Sequence, residues 1–166
     1  MKATTSISIF IADDDKMFTV SSEEYISQNF PNVKSEKFYS GEEILAKINS
    51  CPDVVFLDYN LSDATYNSRN GMSILKSILY RSPNTSVYIV SGLKDDGIVE
   101  MLINNGAKDY IHKNKNTISK IQEIISKEIL QKSENEKQKN EKRKSRLLFL
   151  LPLLILIILL LLSKII

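Results

Sequence analysis

The segment Ile7–Asp15, with the sequence ISIFIADDD, places three consecutive acidic residues directly after a nearly continuous apolar run. A second apolar run, Val54–Leu57, ends in the same way at Asp58. Continuous apolar runs of this length are typical of strands that are buried on both faces of a parallel sheet. Carboxylates gathered at one edge of a sheet raise one another's pKa unless a cation lies among them. The two segments therefore predict a parallel sheet with a divalent-metal site at one edge.

The rest of the chain alternates between strand patterns and helix patterns. The predicted strands are Ile7–Ala12, Val33–Tyr39, Val54–Leu57, Ser86–Val90 and Tyr110–His112, and the weak pattern of the second suits an edge. Helices are predicted over Lys16–Asn29, after the cap residue Ser40, over Met72–Leu79, over Asp95–Asn105 and over Ile118–Ile129. This alternation predicts an α/β fold, with a doubly wound five-stranded parallel sheet and ligands at the carboxyl ends of the strands.

Polar residues follow four of the five predicted strands at the same edge of the sheet. Asp13 and Asp14 follow the first strand, Asp58 the third, Ser91 the fourth and Lys113 the fifth. The acidic triplet alone could be a cap for the first helix, since Asp is favoured at the N-cap and in the first turn. That explanation accounts for neither of the other two charged positions, so we interpret the four groups as one site.

These residues, in this order, resemble the receiver domain of response regulators over residues 5–130. The resemblance lies in five motifs: Phe10–Asp15, Tyr39–Glu43, Asp53–Asn60, Ile89–Gly92 and Gly106–Lys113. It implies a flavodoxin-like fold of five strand–helix units. It also implies a phosphoacceptor that catalyses its own phosphorylation and dephosphorylation, rather than an enzyme that turns over a separate substrate.

The resemblance further implies a role for each polar residue. Asp58 would accept a phosphoryl group from a histidine kinase, a phosphotransfer protein or a small phosphodonor. Mg²⁺ would be the cofactor, and it suits a sparse site of oxygen ligands. Its ligands would be Asp14 and Asp58 directly, Asp13 largely through bound water, and the backbone carbonyl of Asn60.

Three further positions would respond to the phosphoryl group. Lys113 would pair with one phosphoryl oxygen, Ser91 would bond another, and Tyr110 would swing inward as Ser91 moves. The chain departs from the family pattern in two places. Asn114 follows Lys113 where the family usually has proline, and because a non-proline cis bond costs about 3–4 kcal/mol, we expect a trans peptide. The stretch from Asp58 to Gly71 is longer than usual, and its polar residues 63–69 are expected to be solvent-exposed.

The C-terminal part of the sequence separates into a charged stalk and an apolar tail. Residues 131–146 contain no large apolar side chain, and residues 147–162 are sixteen consecutive residues without a polar side chain. Taken over residues 147–166, the tail has the usual length of a membrane-spanning helix. The basic cluster Lys142–Arg146 would attract anionic lipid, and the positive-inside rule places it in the cytoplasm. This pattern predicts a receiver domain tail-anchored on the cytoplasmic face of the cell membrane.

The amino-acid composition limits the class of protein to which the chain can belong. A chain with 43% hydrophobic and 25% charged residues is typical of a globular protein. Cys51 is the single cysteine, so an intrachain disulfide is excluded, and we expect its side chain to be half-buried.

The first functional hypothesis is a membrane-tethered single-domain response regulator whose output is binding of a further protein. No DNA-binding segment follows the receiver, so nucleic acid is not an expected partner, and a homodimer is left open. The alternative is a phosphorylation-independent adaptor at the membrane. A phosphatase of another fold is disfavoured, because Asp13–Met17 lacks the threonine of the Asp-x-Asp-x-Thr pattern.

Overall fold

The computed structural model describes residues 6–61 and 71–162, and in the last part of the chain it describes the side chains up to Phe149 and that of Pro152. The predicted exposure of residues 63–69 lies outside the described residues. Contacts divide the chain into two compact units, one ending at Glu128 and the other beginning at Ile129. The sheet and the predicted site belong to the first unit.

Five parallel strands form a single sheet in the order β2-β1-β3-β4-β5. The strands are β1 Ile7–Ala12, β2 Val33–Phe38, β3 Val54–Leu57, β4 Ser86–Ser91 and β5 Asp109–His112. The buried central strands β1, β3 and β4 are the continuous apolar runs of the sequence. β2 alternates between half-buried and exposed residues and lies at an edge, as its weak pattern predicted. The predicted doubly wound, flavodoxin-like fold is confirmed.

Five helices connect and follow the strands. They are α1 Lys16–Asn29, α2 Gly41–Lys47, α3 Gly71–Arg81, α4 Asp96–Asn104 and α5 Thr117–Leu162, with a short 3₁₀ turn over Ile48–Ser50 after α2. The predicted cap residue Ser40 is confirmed. Its hydroxyl accepts the backbone N–H of Glu43, and the Glu43 carboxylate accepts the N–H of Tyr39, the residue before the cap, so α2 begins with an arrangement close to a capping box.

The sheet is covered on both faces because side chains alternate along each strand. On one face, alternate residues of β1, β3 and β4 join residues from α2, α3 and α4 in one core cluster. On the other face, the Tyr88 hydroxyl donates to Glu128 of α5 at 2.5 Å, and the Lys108 ammonium lies 2.6 Å from the same carboxylate oxygen. Burial and the bond to Glu128 raise the pKa of Tyr88 well above its ordinary value. The buried pair Tyr88–Glu128 therefore holds the first part of α5 against β4, and the more exposed Lys108, just before β5, adds an ion pair to it.

Two expectations are not supported by the described residues. Cys51 is exposed rather than half-buried, because it closes the 3₁₀ turn in a left-handed conformation with φ of 55°. The predicted membrane span, 147–166, lies largely beyond the side chains that the structure describes. Within 6–61 and 71–162, no helix is long and apolar enough to cross a membrane.

Gly106 offers a test of how α4 ends. Its φ is +101°, and the N–H groups of Gly106 and Ala107 bond back to the carbonyls of Ile103 and Leu102. Gly106→Ala should destabilise the domain by roughly 1–2 kcal/mol, because alanine is strained in this conformation. Its Cβ would also lie 2.6 Å from Leu79 Cδ1. The free energy of unfolding, measured by urea denaturation, checks this expectation.

Gly92→Ala is the matched control. A Cβ on Gly92 would meet no atom within 4 Å. The free energy of unfolding of this variant should therefore lie within about 0.5 kcal/mol of the wild-type value, as is usual for surface substitutions. Equal stabilities of the two variants would contradict the role given to Gly106.

Candidate functional site

The site lies where the strand order reverses direction. The chain passes from β1 to β2 on one side and then returns to place β3 on the other side of β1. In sheets of this kind, the crevice at the carboxyl ends of the two strands beside the reversal binds ligands. Asp13 and Asp14 follow β1, and Asp58 follows β3. The Asp58 N–H donates to the Ala12 carbonyl at 2.8 Å, which holds the two strand ends side by side.

Three carboxylates converge in this crevice. Asp13, Asp14 and Asp58 each offer one oxygen, and these oxygens all lie within 4.8 Å of one another. Asp13 and Asp58 are only 1% and 5% exposed, whereas Asp14 is exposed. The structure therefore brings together the acids that the sequence placed on two different strands.

Lys113 supplies the cation that faces the two buried acids. Its Nζ lies 2.6 Å from Asp13 Oδ2 and 2.9 Å from Asp58 Oδ2. The contact with Asp58 is a hydrogen bond. Asp13 Oδ2 is buried and accepts no well-aligned hydrogen bond from the described residues, so its contact with the ammonium is ionic. The Lys113 N–H donates to the Ser91 carbonyl at 2.8 Å, which holds the end of β5 beside β4.

The pKa values of Asp13 and Lys113 are both raised, for different reasons. Burial raises the pKa of Asp13, with a smaller contribution from the charge of Asp58, and neither the ammonium of Lys113 nor the N–H of Asp15 offsets that effect. Burial lowers the pKa of Lys113, but its contacts with Asp13 and Asp58 outweigh this and raise it above the ordinary value. Desolvation thus dominates at the acid, and the two nearby carboxylates dominate at the ammonium.

This donor set fits a divalent cation, and Mg²⁺ in particular. Three carboxylates with one ammonium leave two negative charges, and all the available ligands are hard oxygens, which Mg²⁺ prefers. Asp13 Oδ2 is buried with the Lys113 ammonium beside it at 2.6 Å, and a carboxylate oxygen has a second lone pair with which it can bind a metal or its bound water. Asp13, Asp14 and Asp58 would hold the ion, whose charge would offset that of an incoming phosphoryl group.

Asn60 lies at the same edge, directly after Asp58. Its backbone N–H donates to Asp58 Oδ1 at 3.1 Å, so one oxygen of the carboxylate is oriented by the backbone and the other by Lys113. The predicted metal contact of the Asn60 carbonyl stays a prediction.

Gly71, the first residue of α3, is hydrogen-bonded to the backbone that follows Asp58. The Gly71 N–H donates to the Tyr59 carbonyl at 2.9 Å. A Cβ on Gly71 would lie 2.6 Å from Tyr59 Cα, which leaves no room for a side chain. The first residue of α3 therefore contacts the chain one residue beyond Asp58.

Ser91 and Tyr110 lie on the neighbouring strands. Ser91 is fully buried at the end of β4, and the Tyr110 hydroxyl donates to the Leu93 carbonyl at 2.8 Å. Burial raises the pKa of Tyr110; a hydrogen bond from Ser91 lowers it, the charge of Asp58 raises it, and that of Lys113 lowers it. Tyr110 is thus within electrostatic reach of the carboxylate site. The switch roles of both residues stay predictions.

Sequence reasoning missed how the third acid of the triplet is used. Asp15 is the N-cap of α1, and its Oδ1 accepts the N–H groups of Met17 and Phe18 at 2.9 and 3.1 Å. The capping explanation considered for the whole triplet therefore holds for Asp15 alone. The Lys113–Asn114 peptide is trans, as expected, since no cis peptide occurs among residues 6–61 and 71–162.

Comparison with known proteins agrees with this geometry. The model of the response regulator receiver domain family matches residues 9–126. No curated protein sequence matches significantly.

Solved receiver domains have the same fold. A CheY-like receiver domain from Methanospirillum hungatei JF-1 superposes with a TM-score of 0.68 at 23% identity, covering 79% of this chain and 99% of that one. The BeF3-activated DrrB receiver domain gives 0.63 at 28% identity, covering 76% and 99%. The receiver domain of the Francisella response regulator 1452 gives 0.62 at 24% identity, covering 76% and 98%.

Asp13→Asn should raise the Tm of the metal-free protein at neutral pH. The change removes a buried negative charge and keeps an oxygen that can accept the Asp15 N–H, which Asp13 Oδ1 accepts at 3.0 Å. Because the pKa of Asp13 is raised above its usual 3.8, the folded protein binds this proton more tightly than the unfolded chain does. The destabilisation by ionised Asp13 is therefore present at neutral pH and disappears as the pH falls below 3.8.

The difference in Tm between wild type and Asp13→Asn is measured by thermal unfolding in EDTA, from neutral pH to below pH 3.8. Asp15→Asn is the control, since Asn and Asp are comparable N-caps and this variant should leave Tm nearly unchanged. Added Mg²⁺ should stabilise the wild type more than Asp13→Asn. A lower Tm for Asp13→Asn at neutral pH without metal would contradict the charge-excess argument.

Proposed function

The chain belongs to the response regulator receiver domain family, and on that premise we propose that Asp58 accepts a phosphoryl group from a histidine kinase or a phosphotransfer protein. Receiver domains interact with histidine kinases, and this chain has the acidic pocket of a phosphoacceptor in Asp13, Asp14 and Asp58. Phosphorylation would change the surface around the site and so the binding of a downstream protein. The observation that carries the proposal is the contact of Lys113 with Asp58 inside this pocket.

The proposed reaction is an in-line displacement at phosphorus. A carboxylate oxygen of Asp58 forms the new O–P bond, while the bond from phosphorus to the donor breaks and its electron pair leaves with the donor. With acetyl phosphate the leaving group is acetate. The Asn60 N–H fixes one Asp58 oxygen. The Lys113 ammonium is close enough to move from the carboxylates to a phosphoryl oxygen, where it offsets the added negative charge. Mg²⁺, when bound, would supply further positive charge at the phosphoryl group.

Phosphorylation of the full chain by acetyl phosphate tests this proposal. We expect one phosphoryl group per chain in the presence of Mg²⁺ and almost none in EDTA. Asp58→Ala should abolish labelling, since it removes the nucleophile. Lys113→Gln, which keeps much of the side-chain length without the charge, should slow labelling by about 100- to 1000-fold, the range seen for loss of one electrostatic donor.

The alternative, an adaptor that works without phosphorylation, predicts the opposite pattern. In that case wild type and Asp58→Ala would be labelled equally, or neither would be labelled, and Asp58→Ala would retain downstream function. Labelling of Asp58→Ala at the wild-type rate would refute Asp58 as the acceptor.

We further propose that residues 147–166 tether the receiver to the cytoplasmic face of the membrane. The support is the amino-acid sequence: sixteen consecutive residues without a polar side chain directly follow the cluster Lys142–Arg146. Apolar residues favour the bilayer core, and basic residues near the surface are attracted to anionic lipid. Such a tether would raise the effective concentration of the receiver near a membrane-bound kinase.

Flotation with lipid vesicles tests the tether. The full chain should float with vesicles of neutral and of anionic lipid, whereas a chain ending at Arg146 should float weakly, and only with anionic vesicles at low salt. Equal flotation of the two chains, or none for either, would refute the role of residues 147–166 without affecting the proposal for Asp58.

A further inference from the structure

The ammonium of Lys113 has a third neighbour besides the two carboxylates. Its Nζ lies 5.2 Å from the centroid of the Phe18 ring, within the distance at which a ring face attracts a cation. Two other lysine–ring contacts occur among the described residues, Lys16 with Tyr39 at 5.6 Å and Lys108 with Tyr88 at 6.0 Å, and both are longer. Phe18 is half-buried, so its ring forms one wall of the lysine's surroundings.

The acidic triplet that contributes to the site also caps the helical turn that carries Phe18. Asp15 caps α1 by accepting the N–H groups of Met17 and Phe18. The Thr19 N–H bonds to the Asp15 carbonyl at 3.0 Å and continues the first turn. These bonds fix the backbone of Phe18 in a capped turn that begins two residues after Asp13, and from this position its half-buried ring lies beside Lys113.

The ring and the carboxylates differ in what else they can bind. A carboxylate that coordinates a metal holds an ammonium less strongly, because its negative charge is then shared. A phosphorylated carboxylate loses its own charge, and the ammonium is then attracted to the phosphoryl oxygens instead. A phenyl ring neither ligates Mg²⁺ nor accepts a proton, so its attraction for the ammonium is unchanged when the carboxylates are engaged. Lysine is also flexible and keeps a given position only when its surroundings hold it there.

We propose that Phe18 is a positioning residue for Lys113, holding the ammonium beside Asp58 while the carboxylates are engaged with metal or phosphoryl group. This inference rests on the proposed phosphoacceptor function. The first turn of α1 would then contribute to the reaction in addition to Asp13 and Asp14, which precede it.

The test uses the full chain and the variants Phe18→Leu, Phe18→Tyr and Met17→Leu. Met17 is on the same turn but 81% exposed, so Met17→Leu is the matched control. Without metal, NMR of the Lys113 ε-methylene protons should show an upfield ring-current shift in wild type, Phe18→Tyr and Met17→Leu. This shift should be lost in Phe18→Leu, which keeps an apolar side chain but removes the ring.

Kinetics then separate positioning from structure. At saturating Mg²⁺, Phe18→Leu should be phosphorylated by acetyl phosphate roughly three- to tenfold more slowly, in line with the strength of a partly desolvated cation–ring contact. Phe18→Tyr and Met17→Leu should match the wild type. The Mg²⁺ affinity, measured by titration without phosphodonor, should stay within about twofold in all variants, since no metal ligand changes.

Three outcomes would overturn the inference. The first is the absence of a ring-current shift in the wild type, and the second is a wild-type labelling rate for Phe18→Leu. The third is a loss of Mg²⁺ affinity in Phe18→Leu as large as its loss of rate, which would mark a general disturbance of the site. Failure of the proposed function would give a different result, because neither the wild type nor any variant would then be labelled. Lys113 would in that case have no phosphoryl group to contact.

Discussion

The candidate site depends on an imbalance of charge at one end of the sheet. Asp13 and Asp58 are buried within contact of a single ammonium, that of Lys113, and Asp14 adds a further negative charge nearby. An arrangement of this kind reduces stability in the absence of a cation, and a fold does not need it. The strand order places the ends of β1, β3 and β5 at the same edge, and the resulting excess of negative charge makes the pocket attractive to a divalent ion.

The acidic triplet after β1 divides its work among its three members. Asp13 is buried against Lys113, Asp14 is exposed at the rim, and Asp15 turns the chain into α1. A single run of three identical residues thus supplies a buried carboxylate, a solvent-facing carboxylate and a helix cap. Phe18, whose N–H donates to this cap, has its ring beside Lys113. The start of α1 is therefore coupled physically to the end of β5, although the two elements are far apart in sequence.

Most of the fold and of the acid–lysine site could be predicted from the sequence, because burial on both faces produces continuous apolar runs and parallel strands end at one edge. The bounds of α1 and β3 agree with the structure to the residue. Contacts through space were not predictable. The ring of Phe18 beside Lys113, the bond from Tyr88 to Glu128 and the exposure of Cys51 depend on side-chain directions and on a left-handed residue, and no local pattern records these.

The hydrogen bond from Gly71 to Tyr59 has a consequence for protein engineering. A Cβ at position 71 would lie 2.6 Å from Tyr59 Cα, so any larger residue there would force either the start of α3 or the chain directly after Asp58 to shift. An engineered variant that is meant to keep the geometry of the carboxylate site should therefore retain glycine at this position.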